Sequence, residues 1–192
     1  EYDPMKLEAI QKIELPNYGI SKNLIQNPGF EDGLHAWGKI TGIRITNTDH
    51  LNEWLIIDTN VSYEGKRSLR FQVRPNTSKD PQTYDYIGMV SPYSFQFKSG
   101  SSYTFSFYAK KDMDDEVALG GVAFGGSSWG KWQGNGYWVL TKEWKRYSMT
   151  FMIKEGIGTI LLGIPWWFND NFGSKIKSPK VNFWIDNVQL EE

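Results

Sequence analysis

"YTFSFYAK" (Tyr103–Lys110) decides the fold class, because its large apolar side chains recur at every second position. Tyr103, Phe105, Phe107 and Ala109 fall on one face of an extended chain, and the four intervening residues fall on the other. This alternation predicts a β-strand with one face on a hydrophobic core. The predicted face is strongly aromatic, which favours a sheet that packs against a second layer.

Short apolar runs of the same kind recur from Asn23 onward, with turn-forming residues between them. About ten such strands predict an all-β protein, a β-sandwich of two antiparallel sheets. We interpret residues 1–22 as a linker or lead-in and residues 23–192 as one domain. The other predicted strands are IRIT (43–46), WLIIDT (54–59), SLRFQV (68–73), YDYIGMV (84–90), YSFQFK (93–98), EVALGGVAF (116–124), RYSMTFMI (146–153), TILLGIPWWF (159–168) and VNFWIDNVQL (181–190).

Composition excludes several classes of protein. The net charge is −1 without a basic run, so we expect no nucleic-acid partner. No apolar run is long enough to span a bilayer, and we expect no membrane insertion. The absence of cysteine excludes disulfides, thiolate metal sites and a cysteine nucleophile. The chain starts at Glu1 without a methionine, and we expect a mature or excised piece of an extracellular or cell-surface protein.

Five segments in a fixed order carry a family resemblance. The chain resembles the non-catalytic carbohydrate-binding modules of the family 4/9 type, which are related to families 16 and 22. The resemblance implies a β-jelly-roll that binds a polysaccharide or oligosaccharide on the concave face of one sheet or at the loops beside it. The five segments are NLIQNPGFEDG (23–33), SYEGKRSLRF (62–71), SGSSYTFSFYAK (99–110), EWKRYSMTF (143–151) and FWIDNVQLEE (183–192).

The resemblance also implies a structural calcium ion. Its ligands would be the carbonyl oxygens of Gly29 and Arg67 and the carboxylates of Glu31, Glu64 and Asp186. The residue types suit the ion, because calcium prefers several hard oxygens from carboxylates and turn carbonyls. Asp186 follows apolar strand residues, which would point its charge toward a sheet. A buried carboxylate must be paired with a charge or bound to a metal. The alternative is that the three acids are exposed turn residues.

Tryptophan is concentrated in two segments whose residues do not show the apolar alternation of a core strand. They are GGSSWGKWQGNGYW (125–138) and GIPWWFNDNFG (163–173). We expect Trp129, Trp132, Trp166 and Trp167 to be stacking platforms for pyranose rings, because several apolar rings outside a core indicate a recognition surface. The alternative is that they fold back to cap the sandwich. Trp138 enters the predicted strand YWVLT (137–141) and suits the core.

Polar and aromatic neighbours would complete the sugar site. Gln133 and Asn135 carry amides that can bind sugar hydroxyls, and the adjacent glycines leave clearance for a ligand. Trp37 is either core cover or a further platform, and the two interpretations are equally supported. Tyr108 lies on the polar face of its predicted strand, where it either binds ligand or is a plain surface tyrosine.

No catalytic motif is recognisable. Glycosidases need two carboxylates across a cleft, and the one dense acidic cluster, DMDDE (112–116), lies in a predicted solvated turn. We therefore predict a monomeric, non-enzymatic module that binds a neutral β-linked glycan and belongs to a larger glycoside hydrolase or related protein. The alternatives are a stand-alone glycan-active hydrolase or lyase, and a protein–protein interaction module.

Overall fold

A computed structural model describes residues 22–41, 55–73, 88–92, 97–125, 132–154, 158–163 and 177–192. These residues form a sandwich of two five-stranded sheets. The strands are β1 (Trp37–Thr41), β2 (Leu55–Asp58), β3 (Ser68–Val73), β4 (Gly88–Pro92), β5 (Ser102–Lys111), β6 (Ala118–Gly125), β7 (Trp132–Val139), β8 (Lys145–Met152), β9 (Gly158–Gly163) and β10 (Val181–Glu191).

Both sheets are antiparallel throughout, as predicted. The first sheet has the strand order β1-β4-β9-β6-β7, and the second has the order β2-β3-β10-β5-β8. Consecutive strands therefore often lie in different sheets, which is the crossing pattern of a jelly roll. In the described part of the chain, no helix is long and apolar enough to cross a bilayer.

The core lies between the sheets and confirms the predicted alternation of β5. Tyr103, Phe105, Phe107 and Ala109 are all buried in it. In β10, the rings of Phe183 and of Phe71 from the neighbouring β3 stack at 4.7 Å. Ring contacts recur in the core, where Phe97, Tyr103 and Phe151 also pack against one another.

β1 was not predicted, because WGKIT is short, and β7 was predicted only from Tyr137 onward, because glycines interrupt the apolar alternation before it. Several predicted strands are only partly described. Phe97 and Lys98, at the end of the predicted strand 93–98, lie outside any strand, although Phe97 is buried in the core. The predicted strand 43–46 and the lead-in residues 1–21 lie outside the described residues.

A bulge interrupts β10 where it passes the opening segment of the domain. The register to β5 shifts between Asp186 and Gln189, and Asn187 has a φ of 46°. The extra residue keeps Asp186 on the outer face, by which we mean the face turned away from the core, while Val188 returns to the core. The bulge also docks the opening turn, because Val188 N donates to Pro28 O at 2.9 Å.

Candidate functional site

Three turns meet at the bulge of β10, where the calcium ligands were predicted. They are the opening turn at residues 27–31, the turn at residues 61–67 between β2 and β3, and the bulge itself. Hydrogen bonds link all three turns. The structure thus brings the predicted ligand residues together from positions that are more than a hundred residues apart in sequence.

Asp186 lies at the centre of these turns and is fully buried. Its Oδ2 accepts hydrogen bonds from Tyr63 N at 2.7 Å and Glu64 N at 3.1 Å, and its Oδ1 accepts one from Asn187 N at 2.7 Å. Burial raises the pKa of Asp186 despite these three bonds, and the negative charge of Glu31 raises it further. Among the described residues, no cation forms an ion pair with this carboxylate.

Glu31 and Glu64 are held beside Asp186 by the same turns. Glu31 Oε1 accepts from Lys66 N at 2.8 Å and Arg67 N at 3.0 Å, and Glu64 Oε2 accepts from Asn187 Nδ2 at 2.8 Å. The 61–67 turn can approach Glu31 only because residue 65 is glycine. Its φ is +69°, and a Cβ atom there would lie 2.3 Å from Glu31 Oε1.

The donor chemistry of this cluster suits calcium. It combines three carboxylates with the turn carbonyls of Gly29 and Arg67, all of them hard oxygens, around a buried charge that has no cation. Within the described ranges, however, no three acidic or histidine side chains are already disposed around a common metal position. The carboxylates accept backbone amides instead, and they would exchange some of these bonds for the ion.

The predicted sugar ligands on the glycine-rich segment lie on β7, at the edge of the first sheet. Trp132 pairs with Phe124, and Asn135 pairs with Val122. Gln133 sits at a register shift, where β7 has one residue more than β6. Strand bulges are common beside binding sites because they redirect the chain locally. The other predicted platforms, Trp129, Trp166 and Trp167, lie outside the described residues.

Trp138 confirms the interpretation that it belongs to the core. Its ring meets Phe107 edge-on at 5.0 Å, and its Nε1 donates to Ser148 O of β8 at 3.2 Å. The glycines of this segment make room for that indole. A Cβ atom would lie 2.2 Å from the Trp138 ring at Gly136 and 2.7 Å from it at Gly121. At these two positions, glycine therefore serves packing rather than ligand clearance.

Trp37 is core cover, which corrects its place among the candidate sugar platforms. The side chain is only 4% exposed. Its ring packs against Phe30 at 5.0 Å, and its Nε1 donates to Asn27 O at 3.0 Å. No ring face is open to a ligand. The sequence left both alternatives open because neighbouring turn residues gave no sign of which face would be covered.

Tyr108 is half-buried on the outer face of the second sheet, so it belongs to a different surface from β7. Its ring stacks on Tyr63 at 3.7 Å with an interplanar angle of 11°. Sequence reasoning missed Tyr63, whose signal was a large aromatic residue within a glycine-containing turn. It also missed Tyr137, which is 47% exposed on β7 between the polar residues of the predicted sugar site and Trp138.

The acidic cluster at residues 112–116 accepts hydrogen bonds from the segment at residues 177–182. Asp112 accepts hydrogen bonds from Asn182 N at 2.9 Å and Asn182 Nδ2 at 2.6 Å. Asp115 accepts from the backbone amides of Lys177 and Ser178 and from the Ser178 hydroxyl. These carboxylates are engaged in structural hydrogen bonds rather than facing each other across a cleft.

Solved structures share this architecture. A family 61 carbohydrate-binding module in complex with β-1,4-galactotriose superposes with a TM-score of 0.57 and 14% identity over 90% of this chain and all of that one. A xylan-binding family 22 domain of Paenibacillus barcinonensis Xyn10C gives 0.56 and 16%, covering 89% of this chain and 94% of its own.

A third similar structure is a two-module fragment of Clostridium thermocellum xylanase 10B in complex with xylohexaose. It gives a TM-score of 0.54 and 14% identity over 90% of this chain and 29% of that one, which also contains a family 10 glycoside hydrolase module. No protein-family model matches the sequence, and no curated protein matches it significantly. The predicted resemblance is therefore confirmed for the fold, which is the β-sandwich of carbohydrate-binding modules such as those of families 4, 16, 22 and 61.

Proposed function

We propose that the protein is a non-catalytic module that binds a glycan chain along the β7 edge of its first sheet. The observation that carries the proposal is the placement of Trp132, Gln133 and Asn135 on one strand of this fold. The solved modules that share the fold include complexes with galactotriose and xylohexaose. The exposed ring of Tyr137 continues the same strand.

Each residue has a defined role in this proposal. A pyranose has an apolar face of C–H groups and a rim of hydroxyls, so it stacks on an aromatic ring and hydrogen-bonds to amides. Trp132 supplies the ring, while Gln133 and Asn135 bind hydroxyls. Trp129, Trp166 and Trp167 remain candidate platforms for further sugar units. The net charge of −1 favours a neutral glycan, and flat rings in tandem suit a β-linked chain.

The calcium ion is part of the proposal. Glu31, Glu64 and Asp186, with the carbonyls of Gly29 and Arg67, would hold it. The ion would neutralise the buried Asp186 carboxylate and fix the three turns against β10, so its contribution is to stability. It takes no direct part in sugar binding on β7, because its ligands lie on the second sheet and β7 lies on the first.

The wider setting of the module is also proposed. As a monomer, it would keep a covalently attached glycan-degrading domain close to its substrate. The Clostridium thermocellum fragment, in which a module of this fold and a glycoside hydrolase module share one chain, supports this arrangement. Such a role requires an extracellular or cell-surface location, where polysaccharides are encountered.

Affinity electrophoresis in gels containing β-glucan, xylan, mannan or galactan tests the binding function. We expect retardation in at least one gel, and about tenfold weaker binding after Trp132→Ala, which removes one stacking ring. Trp129→Ala and Trp166→Ala test the two undescribed segments in the same way. Val139→Ala is the matched control, since it removes an exposed but non-aromatic side chain from the same strand.

The outcomes separate the alternatives. Retardation without release of reducing ends supports a binding module, whereas released reducing ends would identify a glycan-active enzyme. The absence of retardation with every polysaccharide would overturn glycan binding. Unchanged retardation of the Trp132→Ala variant would remove β7 from the site.

A further inference from the structure

A second group of aromatic rings lies on the second sheet, whereas β7 belongs to the first. Tyr63, Tyr108 and Trp144 form an aromatic patch on the outer face of the second sheet. Tyr108 rises from β5, and Tyr63 lies over it from the 61–67 turn, with ring centroids 3.7 Å apart. Trp144, immediately before β8, presents its ring at 63° to that of Tyr63 and 5.8 Å away. The patch is thus a flat platform with an upright wall.

The platform is open to solvent. Tyr63 remains 42% exposed although one face of its ring is covered by Tyr108. Part of Tyr63 therefore remains accessible beside the covered ring face. The Tyr63 ring lies outside the core between the sheets. Core packing therefore does not explain why an aromatic residue occupies this exposed turn.

The rim of the aromatic patch is polar and carries both signs of charge. Arg146 lies directly beside Tyr108 in the β5–β8 register, and its Nη2 donates to Ser106 Oγ at 2.9 Å and Gln189 Oε1 at 2.7 Å. Glu64, the neighbour of Tyr63 in the 61–67 turn, carries the charge opposite to that of Arg146. Balanced charges favour a neutral polar ligand.

The platform is also preorganised. The backbone amide of Tyr63 donates to the buried Asp186 carboxylate at 2.7 Å, so the turn that carries the ring is anchored to β10. Arg146 is held by two side-chain acceptors. A ligand would therefore lose little affinity to the ordering of these side chains.

One exposed ring with an adjacent wall matches a sugar unit rather than a protein partner. A stable protein interface needs about 800 Å² from each partner, far more than one tyrosine offers. A single pyranose ring, by contrast, has the dimensions of one aromatic face. We infer that the aromatic patch is a second saccharide-binding site, which takes one or two units of a neutral glycan. The chemical class rests on the proposed function, but the surface is separate from β7.

The test is a titration of the isotope-labelled protein with β-1,4-galactotriose, xylohexaose and cellohexaose, followed by NMR. We expect the Tyr63 amide and the Trp144 indole N–H signals to shift with at least one oligosaccharide. The shifts should persist in a Trp132→Ala variant. After Tyr63→Ala, the affinity obtained from the titration should be about tenfold weaker. Tyr63→Phe keeps the stacking ring and should retain binding.

Two controls make the result specific. Met152→Ala removes another exposed apolar side chain from the same sheet and should change nothing. The Tyr63 variants keep the backbone bond to Asp186, so an unchanged amide spectrum outside the patch will show that they fold.

The two proposals fail in different ways. Shifts on β7 with none at the patch would overturn the second site and leave the proposed function intact. Shifts at the patch alone would overturn the β7 site and support this one. Patch signals that move with protein concentration instead of sugar would identify a self-association surface and overturn the inference, as would an unaffected Tyr63→Ala variant.

Discussion

At the residue scale, the meaning of glycine depends on which ring it faces. The sequence predicts that glycines around the tryptophans leave clearance for a sugar. Gly121 and Gly136 instead leave clearance for Trp138, whose indole occupies the space where their side chains would be. Sequence reasoning could place Trp138 in the core because it precedes an apolar strand. It could not pair the indole with glycines on two strands, because that pairing depends on the β6–β7 register.

Gly136→Ala tests this packing. A Cβ atom at residue 136 would lie 2.2 Å from the Trp138 ring, so we expect a loss of about 1–3 kcal/mol in the free energy of unfolding, measured by urea denaturation. At an unhindered strand position the same substitution is neutral or stabilising, which makes the sign informative. In a Trp138→Leu background the same substitution should cost less, because the ring that the new Cβ would meet is gone. An unchanged or higher stability of the single variant would contradict the packing argument.

At the element scale, the sequence predicts a strand well where one face is buried and the other is exposed to solvent. It predicts poorly where a strand lacks this alternation of apolar residues. β3, β5, β8 and β10 lie within a residue or two of their predicted bounds, because their apolar residues alternate. β7 was predicted as a strand only at its end, in YWVLT (137–141), because the preceding residues are rich in glycine. Its extended conformation comes from pairing with β6 and from the bond between Trp138 and β8, both of which are tertiary.

The second sheet contains a side-chain link between strands that are not neighbours. Trp184 of β10 donates from Nε1 to Asp58 Oδ2 of β2 at 2.8 Å, across the intervening β3. Arg70 of β3 lies 3.7 Å from the same oxygen. Burial alone raises the pKa of Asp58, but the bonds from Trp184 and Asn60 N and the charge of Arg70 outweigh it and hold the pKa below its ordinary value of 3.8.

This link predicts a pH-dependent effect of Asp58→Asn. Because the folded-state pKa is depressed, the carboxylate stabilises the fold above its unfolded pKa, and this stabilisation disappears as the pH falls through the folded pKa. We expect the variant to lose about 1–2 kcal/mol near neutral pH, and a smaller amount as the pH falls below the ordinary carboxyl pKa of 3.8. Urea unfolding across a pH series measures the difference.

The control for this experiment is an exposed ion pair. Asp114 lies 3.0 Å from Lys142 on the surface, and Asp114→Asn should have little effect on stability at either pH. A loss for Asp58→Asn that stays constant across the series would show that packing, not charge, links the two strands.

At the scale of the whole molecule, the two sheets carry different groups of candidate binding residues. The first carries the β7 residues, while the second carries the turns around Asp186 and the aromatic patch. About ten short strands were sufficient to predict the sandwich, and the family resemblance carried by five ordered segments implied its jelly-roll connections. The same reasoning placed Tyr108 with the tryptophans, since one sequence cannot show which strands share a sheet. That assignment depends on the crossovers between the sheets.

Calcium should therefore act on the stability of the whole domain, because its proposed ligands join the first, a middle and the last segment of the fold. A ligand that binds only the folded state at about a hundredfold excess over its Kd adds about 2.7 kcal/mol. For a domain of this size we expect a rise in Tm of roughly 5–10 °C between EDTA and calcium, measured by calorimetry. Asp186→Asn should abolish the difference, whereas Asp114→Asn, which changes an exposed acid outside the three turns, should preserve it. Equal Tm values in EDTA and calcium would exclude the metal and leave the buried Asp186 carboxylate held by backbone amides alone.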